Sequence, residues 1–455
     1  MAPVASYSLD RSLRCVGGGR VIIGGSPLKL FRLSAAGTAL FGRLKDGEAV
    51  PSNPLIERLL DSGAIHPRHP PRIAAHQVTV VIPAYEPPPG ALARLVAQVA
   101  GVAEVFIVDD ASPLPIPALA GASTLRHHIN RGPGAARMTG LANVSTPFVA
   151  FVDTDVELPP EWLAPLLAHF DDPLVAAVAP RVASRGGSTL IQRYETRRSP
   201  LDLGPEPARV HSGTRVSYVP SAVLICRTDA LNKVGGFDPV LRFGEDVDLV
   251  WRLTGAAFRV RYEPSVVVIH NPRTSLQNLI RQRFDYGTSA ASLAERHPGA
   301  LAPVIIDRTS AGAWMLAVVG WPISGALVAV VSTARFAYKL RAIPDGTSEA
   351  LRLAGLGNLY AGRSLASAAT RAWWPFSVLA ALVSRRARYL LAAAAVVPAG
   401  MDWIRDRPGI QPVKYLALRI IDDMAYGSGV AVGCWRHRSI ASVRPRLTRA
   451  STQPE

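Results

Sequence analysis

The spacing of apolar positions changes twice along the chain. Up to about residue 73 the apolar runs are short. "RVIIGG" and "LKLFRLS" read as brief strands, "AAGTALFGRL" as a helix, and "NPLIERLLDSGAIHP" as an amphipathic helix ending at Gly63. Two short strands with helices of this size predict a winged-helix-like unit over 1–73. The proline-bearing polar stretch "HPRHPPRIAAHQ" marks its boundary.

From Val78 to about His297 strands alternate with helices. "VTVVIPAY", "VFIVDDAS" and "FVAFVDTDV" read as strands, "ALARLVAQVAGV" as a helix, and "NRGPGAARMTGLANV" as a glycine-rich turn entering a helix. That alternation predicts an α/β domain over 77–300 with a mixed, mostly parallel sheet. In such sheets ligands bind at the carboxyl ends of the strands, near the point where strand order reverses. Tyr85, Asp110, Asp153 and Asp155 all fall at such ends. Side chains two apart in an extended segment point the same way, so Asp153 and Asp155 could grip one cation, or form a solvated turn.

Over 301–434 the pattern is apolar and helical. Ala311 to Ala334 is 24 residues without a charge, bounded by Arg308 and Arg335. It is long enough to cross a bilayer, although Pro322 and the alanines leave open a helical hairpin packed on the α/β domain. "WWPFSVLAALVS" and "YLLAAAAVVPAG", 12 residues each and split by "RRAR", fit re-entrant, interfacial or core helices equally. The arginine-rich tail, 435–455, is expected to be mobile and to rest on anionic lipid.

Composition narrows the function classes. At 455 residues the prior is roughly three domains, and 49% hydrophobic content excludes a disordered chain. The net charge of +16 is nearly all arginine, with five lysines, and is dispersed. Arginine's planar fork suits phosphate and anionic lipid alike, and no zinc-finger, RNP-like or basic-region pattern makes nucleic acid the leading partner. Cys15, Cys226 and Cys434 lie far apart, which excludes a disulfide framework and a cysteine-rich metal site. The N-terminus lacks an apolar core of signal-peptide length, so a cytosolic protein is expected. "GGGRVIIGG" opens no helix after a strand and is no dinucleotide loop.

Five segments, "VVIPAYEPP", "VDDAS", "NRGPGAARMTGL", "FVDTDVEL" and "GGFDPVLRFGEDVDLVWRL", in this order and at these intervals, resemble the inverting family 2 nucleotide-sugar glycosyltransferases of GT-A fold. The resemblance covers roughly 78–285. Within that family, "VVVIHNPRTS", "RQRFDYGTSAA" and the preceding small domain resemble the mycofactocin-system branch. The resemblance implies a GT-A fold, a UDP-sugar donor (UDP-glucose), Mn²⁺ or Mg²⁺, and a peptide-derived redox cofactor, mycofactocin or its precursor, as acceptor of a short run of glucose units. It implies the cytoplasmic face of the membrane, or the cytoplasm, as the setting.

The same resemblance assigns roles. Asp155 would contact the metal most directly and Asp153 the nucleotide or metal. Pro83, Tyr85 and Glu86 would flank the base, with Glu86 standing where the family usually has asparagine. Asp110 would accept a hydrogen bond from uracil. Arg137, in the first turns of its helix, would meet diphosphate or uracil. His270 is either a further metal ligand or a surface turn residue before Asn-Pro. Asp246, in a helix whose apolar face is Leu249, Val250 and Leu253, would be the base that takes the acceptor hydroxyl's proton, although acidic residues also favour a first turn for the macrodipole alone. A departure is the missing Gln-x-x-Arg-Trp box of processive relatives: Arg281, Gln282, Arg283, Phe284 and Tyr286 occupy that region, so long-polymer synthesis is not expected. The N-terminal unit resembles peptide-recognition domains that pair a leader with a sheet edge, or is a structural cap. Two rival functions are a transferase acting on a polyprenyl-phosphate lipid, and an inactive scaffold binding sugar nucleotide or peptide.

Overall fold

The computed structural model describes residues 4–448 apart from Arg273 and Pro344. The N-terminal part holds six strands where two are expected. Val4–Leu9 lies between Val50–Pro51 and Ile65–Arg68 in an antiparallel sheet, and Arg14–Val16, Val21–Gly24 and Lys29–Arg32 form a second antiparallel sheet. The first sheet has no local signal because its partners lie some 40 to 60 residues apart in the chain. Helices Ala35–Lys45 and Pro54–Asp61 start where predicted, with Ser34 and Asn53 accepting from first-turn amides. Ile22, Phe31, Phe41, Leu44, Ile56 and Leu59 fill the space between them. Arg259 fastens this unit to the α/β domain, its guanidinium reaching Glu57, Asp61 and Asp172.

The α/β domain is built on one large sheet, as the strand–helix alternation predicts. Its order is Val156–Glu157, Arg259–His270, Val175–Ser184, Val223–Arg227, Phe148–Val152, Val78–Ala84, Glu104–Asp109, Ser123–Arg126, with Ala208–Val210 added on Arg259–His270. Val78–Ala84 runs parallel to both of its neighbours. Strand order reverses there, which leaves a crevice at the carboxyl ends. Side chains of the central strands alternate into two cores, Val80 and Ile82 on one face, Val81, Val149 and Phe151 on the other. Helix Pro133–Leu141 lies against the sheet with no room to spare: a Cβ on Gly140 would sit 2.2 Å from a Val81 methyl.

The uncharged run 311–334 is not one helix; of the two arrangements the sequence leaves open, a single span and a helical hairpin, it takes the second. It breaks at Gly320, which adopts φ 121°, giving Arg308–Val319 and Pro322–Leu340. Pro322 brings no amide hydrogen and disfavours helical geometry in the residue before it, so the chain turns there. The two helices pack backbone to backbone, a Cβ on Gly325 falling 2.4 Å from the Ala313 carbonyl oxygen. The second helix docks on the N-terminal unit, where Leu340 and Ile343 meet Val16, Val21 and Ile23. "RRAR" separates no two helices of equal length: it opens Arg385–Asp406, preceded by Trp374–Val383. The tail is ordered as far as Thr448, since Arg446–Thr448 pairs in parallel with Ile305–Asp307; residues 449–455 lie outside the described residues.

Helix Pro412–His437 is locked to helix Leu276–Thr288 of the α/β side by glycines. A Cβ on Gly287 would lie 2.1 Å from the Tyr426 carbonyl oxygen, and one on Gly429 2.0 Å from that of Phe284. Beside this seam Arg283 is buried between Glu195 and Asp422, whose second oxygen accepts from the Tyr194 hydroxyl at 2.9 Å. Removing the guanidinium would leave two buried carboxylates facing each other. Arg283→Ala is therefore expected to lower unfolding free energy by about 3–5 kcal/mol, read by urea titration. A loss under about 1 kcal/mol would contradict this account of the seam.

Candidate active site

A single cavity of about 1220 Å³ opens at the carboxyl ends of the parallel strands. Pro83, Tyr85, Asp110, Arg137, Asp153, Asp155, Asp246 and His270 all line it. Glu86 is not among the lining residues. Its backbone takes φ 46°, its amide donates to Ser112 Oγ at 3.1 Å, and its side chain faces solvent. A left-handed residue at this turn suits asparagine better than glutamate.

The end of each strand sets one part of the site. Asp110 follows Glu104–Asp109 and turns inward to hold the glycine-rich turn: it accepts from the Arg131 amide at 2.9 Å, the Gly132 amide at 2.7 Å, and His127 Nδ1 at 2.6 Å. A carboxylate offers roughly four lone-pair directions, so little capacity is left for a nucleobase. Its main work is shaping the turn that starts helix Pro133–Leu141.

That helix carries Arg137, 2% exposed. Its Nη2 donates to Asp153 Oδ1 at 2.7 Å and its Nη1 to Glu245 Oε1 at 2.9 Å, with the Phe237 ring 5.3 Å away. Arg137 Nε is buried without a partner among the described residues. The arginine expected to face an anion directly thus ties the strand-end aspartate to the start of helix Glu245–Gly255.

Asp153 and Asp155 follow Phe148–Val152. Antiparallel pairing sets Val156 opposite His270, and so His270 Nε2 lies 3.0 Å from Asp155 Oδ2. Burial pushes the Asp153 carboxyl upward, Arg137 opposes this, and the negative charge of Asp155 adds to it. Two carboxylates, hard oxygen donors, and an imidazole nitrogen around one opening suit a divalent cation such as Mn²⁺. No group of three such ligands is already assembled among the described residues. The set fits an ion held by one or two carboxylates, with substrate oxygens completing the shell.

Asp246 lines the same cavity from helix Glu245–Gly255. The helix starts after Gly244, at φ 78°, and Asp246 accepts from its neighbour Val247 at 2.8 Å and from the Ser221 amide at 3.3 Å. Glu245 was not singled out from sequence, although it adjoins Asp246 in the same motif. Burial, then the Asp246 charge, pushes Glu245 up to about 7 against the pull of Arg137; burial also raises Asp246. Adjacent carboxyls of this kind titrate as a pair.

The sign of the pH effects follows. A carboxyl raised in the folded state stabilises the fold below its ordinary range, and that contribution is lost as pH rises through about 7. A reaction needing an ionised Asp246 depends on pH in the other direction. kcat/KM is expected to fall on the acid side along a limb that lies above the ordinary carboxylate range, because burial raises Asp246, and Glu245→Gln, by removing the neighbouring charge, to move that limb down. An unmoved limb in a pH–rate profile would contradict the coupling.

Further lining residues carried no pattern in sequence: Tyr218, Arg371 and Tyr426. Of the region compared with the processive box, Arg281, Gln282 and Tyr286 face the cavity while Arg283 is buried in its ion pairs.

Residues 79–233 match the model "Glycosyl transferase family 2". The chain is 42% identical to the "Pre-mycofactocin glycosyltransferase" of Mycobacterium tuberculosis, covering 97% of each. It is 43% identical over 101 residues, 19% of this chain and 32% of the relative, to the "Succinoglycan biosynthesis protein ExoW" of Rhizobium meliloti. Among solved structures it is similar to the mannosyltransferase PcManGT from Pyrobaculum calidifontis in complex with GDP-Man and Mn2+, at 17% identity and TM-score 0.45, over 81% of this chain and 90% of that one.

Proposed function

Since this chain belongs to glycosyltransferase family 2, we propose that it is an inverting hexosyltransferase that moves glucose from UDP-glucose to mycofactocin or its peptide-derived precursor and extends it by a few sugars. The observation that carries the reading is the convergence of Asp153, Asp155 and Asp246 on one cavity. The identity to the mycobacterial relative over nearly the whole of both chains supports the acceptor.

In this reading the donor's diphosphate lies at the strand ends. Asp155, Asp153 and His270 would hold Mn²⁺ or Mg²⁺, which when bound supplies positive charge to the leaving diphosphate. Arg137 keeps Asp153 oriented and brings a positive charge close to it. Asp246 takes the proton of the attacking hydroxyl. The oxygen forms its bond to the anomeric carbon as the carbon–phosphate oxygen bond breaks, the electron pair leaves with the nucleoside diphosphate, and single displacement inverts the centre. Arg137's bridge to Glu245 couples the two ends of this path.

The N-terminal unit would hold a leader or acceptor peptide at a sheet edge. Apolar side chains exposed on the C-terminal helices, Trp321, Ile323, Leu327, Phe376 and Val383 among them, together with exposed Arg335, Lys339, Arg385 and Arg386, support association with an anionic membrane at its cytoplasmic face. Pro322–Leu340, 19 residues at mean hydropathy 1.2, is the one described helix long and apolar enough to cross.

The test is a panel of sugar nucleotides with and without Mn²⁺, followed by mass analysis of the acceptor. Turnover of UDP-glucose with glucose added to the mycofactocin precursor is expected. Transfer to polyprenyl phosphate alone would favour the lipid-acceptor reading, and no turnover would favour a binding scaffold. Flotation with vesicles containing anionic lipid checks the membrane association, which fails if the protein stays in the soluble fraction.

A further inference from the structure

Two side chains of the cavity wall come from far beyond the α/β domain. Arg371 follows helix Gly346–Thr370 and Tyr426 lies on helix Pro412–His437, whereas every other described lining residue falls between Pro83 and Leu301. Their placement is rigid. A Cβ on Gly427 would lie 1.9 Å from the Arg371 carbonyl oxygen, so helix 412–437 is seated directly on that peptide. The Arg371 guanidinium covers the Tyr426 ring at 3.8 Å from its centroid and reaches Asp423 at 3.4 Å.

Tyr218 shows which space these groups surround. After burial, the groups acting on its hydroxyl are Asp246, Tyr286 and Tyr426, which raise its pKa, and Arg371, which opposes them. All five residues line the same cavity, and the groups acting on the Tyr218 hydroxyl include the candidate base, Asp246. The upward shift keeps the Tyr218 phenol protonated and able to donate.

We infer that Arg371 and Tyr426, with Tyr218 and Tyr286, form the acceptor subsite, and that it takes a neutral, hydroxyl-rich ring: the hexosyl unit that bears the attacking hydroxyl. Guanidinium and phenol groups donate, and Asp246 and Asp285 accept. A sugar hydroxyl does both, and its C–H faces pack on aromatic rings. A phosphate at the same place would meet these carboxylates. The inference rests on the transferase reading above and adds that the C-terminal helices are part of the catalytic unit.

The experiment uses the full chain, the sugar nucleotide that the wild type turns over, and p-nitrophenyl β-glucoside as the ring probe. Arg371→Ala and Tyr426→Ala are expected to raise the KM for the glucoside by about tenfold or more. KM for the donor should rise far less than KM for the glucoside. Tyr426→Phe, which keeps the ring, should fall between. Acceptor KM values equal to wild type would overturn the subsite. So would a parallel rise in donor KM, which assigns the two residues to support of the whole site. A wild type that glycosylates polyprenyl phosphate in detergent and ignores the glucoside would overturn the ring. A wild type that turns over no sugar nucleotide would instead remove the transferase reading, and the subsite with it.

Discussion

Asp246→Asn is expected to lower kcat for sugar transfer by about 10²–10⁴-fold, the range for loss of a positioned general base, while UDP binding changes less than about twofold. Asparagine keeps the size of the side chain and one acceptor oxygen for the Val247 amide at 2.8 Å or the Ser221 amide at 3.3 Å. The cost of losing the other hydrogen bond is about 1 kcal/mol, too little to unfold the protein. The helix-start role that any first-turn carboxylate can play therefore separates from the proton-accepting one. Retained turnover in the asparagine variant, with binding intact by calorimetry, would assign Asp246 to the helix alone and leave Glu245 as the remaining carboxyl on that wall.

Asp155→Asn is expected to cost about 10²–10³-fold in kcat/KM at fixed Mn²⁺, in line with loss of several kcal/mol of charge stabilisation. Part of this should return at raised Mn²⁺. Asp155 pairs with His270 at 3.0 Å and neighbours Asp153, whose carboxyl burial and the Asp155 charge push upward. Neutralising Asp155 should let Asp153 ionise more readily, so the fold itself is not expected to weaken. Chelation of the wild type should have the same kinetic effect and reverse on adding metal. Activity untouched by both chelator and substitution would show that this strand end serves some other purpose.

Much of the architecture was legible because it depends on short-range patterns. Alternating strands and helices announce a parallel sheet, and strand-end carboxylates can be found by counting residues, since the side-chain period of an extended segment is fixed. Strand-end counting reaches Asp110, Asp153 and Asp155, whereas the resemblance to the family supplied Arg137, Asp246 and His270; eight of the nine candidate residues, all but Glu86, line the cavity.

What needed the tertiary structure is what joins residues far apart in the chain. The edge strands of the N-terminal unit pair across tens of residues, and the uncharged run at 311–334, which by pattern fits a span or a hairpin, is settled as two helices by the break at Gly320 and Pro322 and the close approach at Gly325. Arg137 looked like a free anion contact; only folding sets Asp153 and Glu245 on its two nitrogens. Arg371 and Tyr426 belong to no motif, and reach the cavity because glycines let one helix approach another's backbone. Sequence by itself determined the chemistry at each strand end. Which distant groups answer that chemistry was decided by packing, whose contacts form between surfaces that have no neighbour relation along the chain.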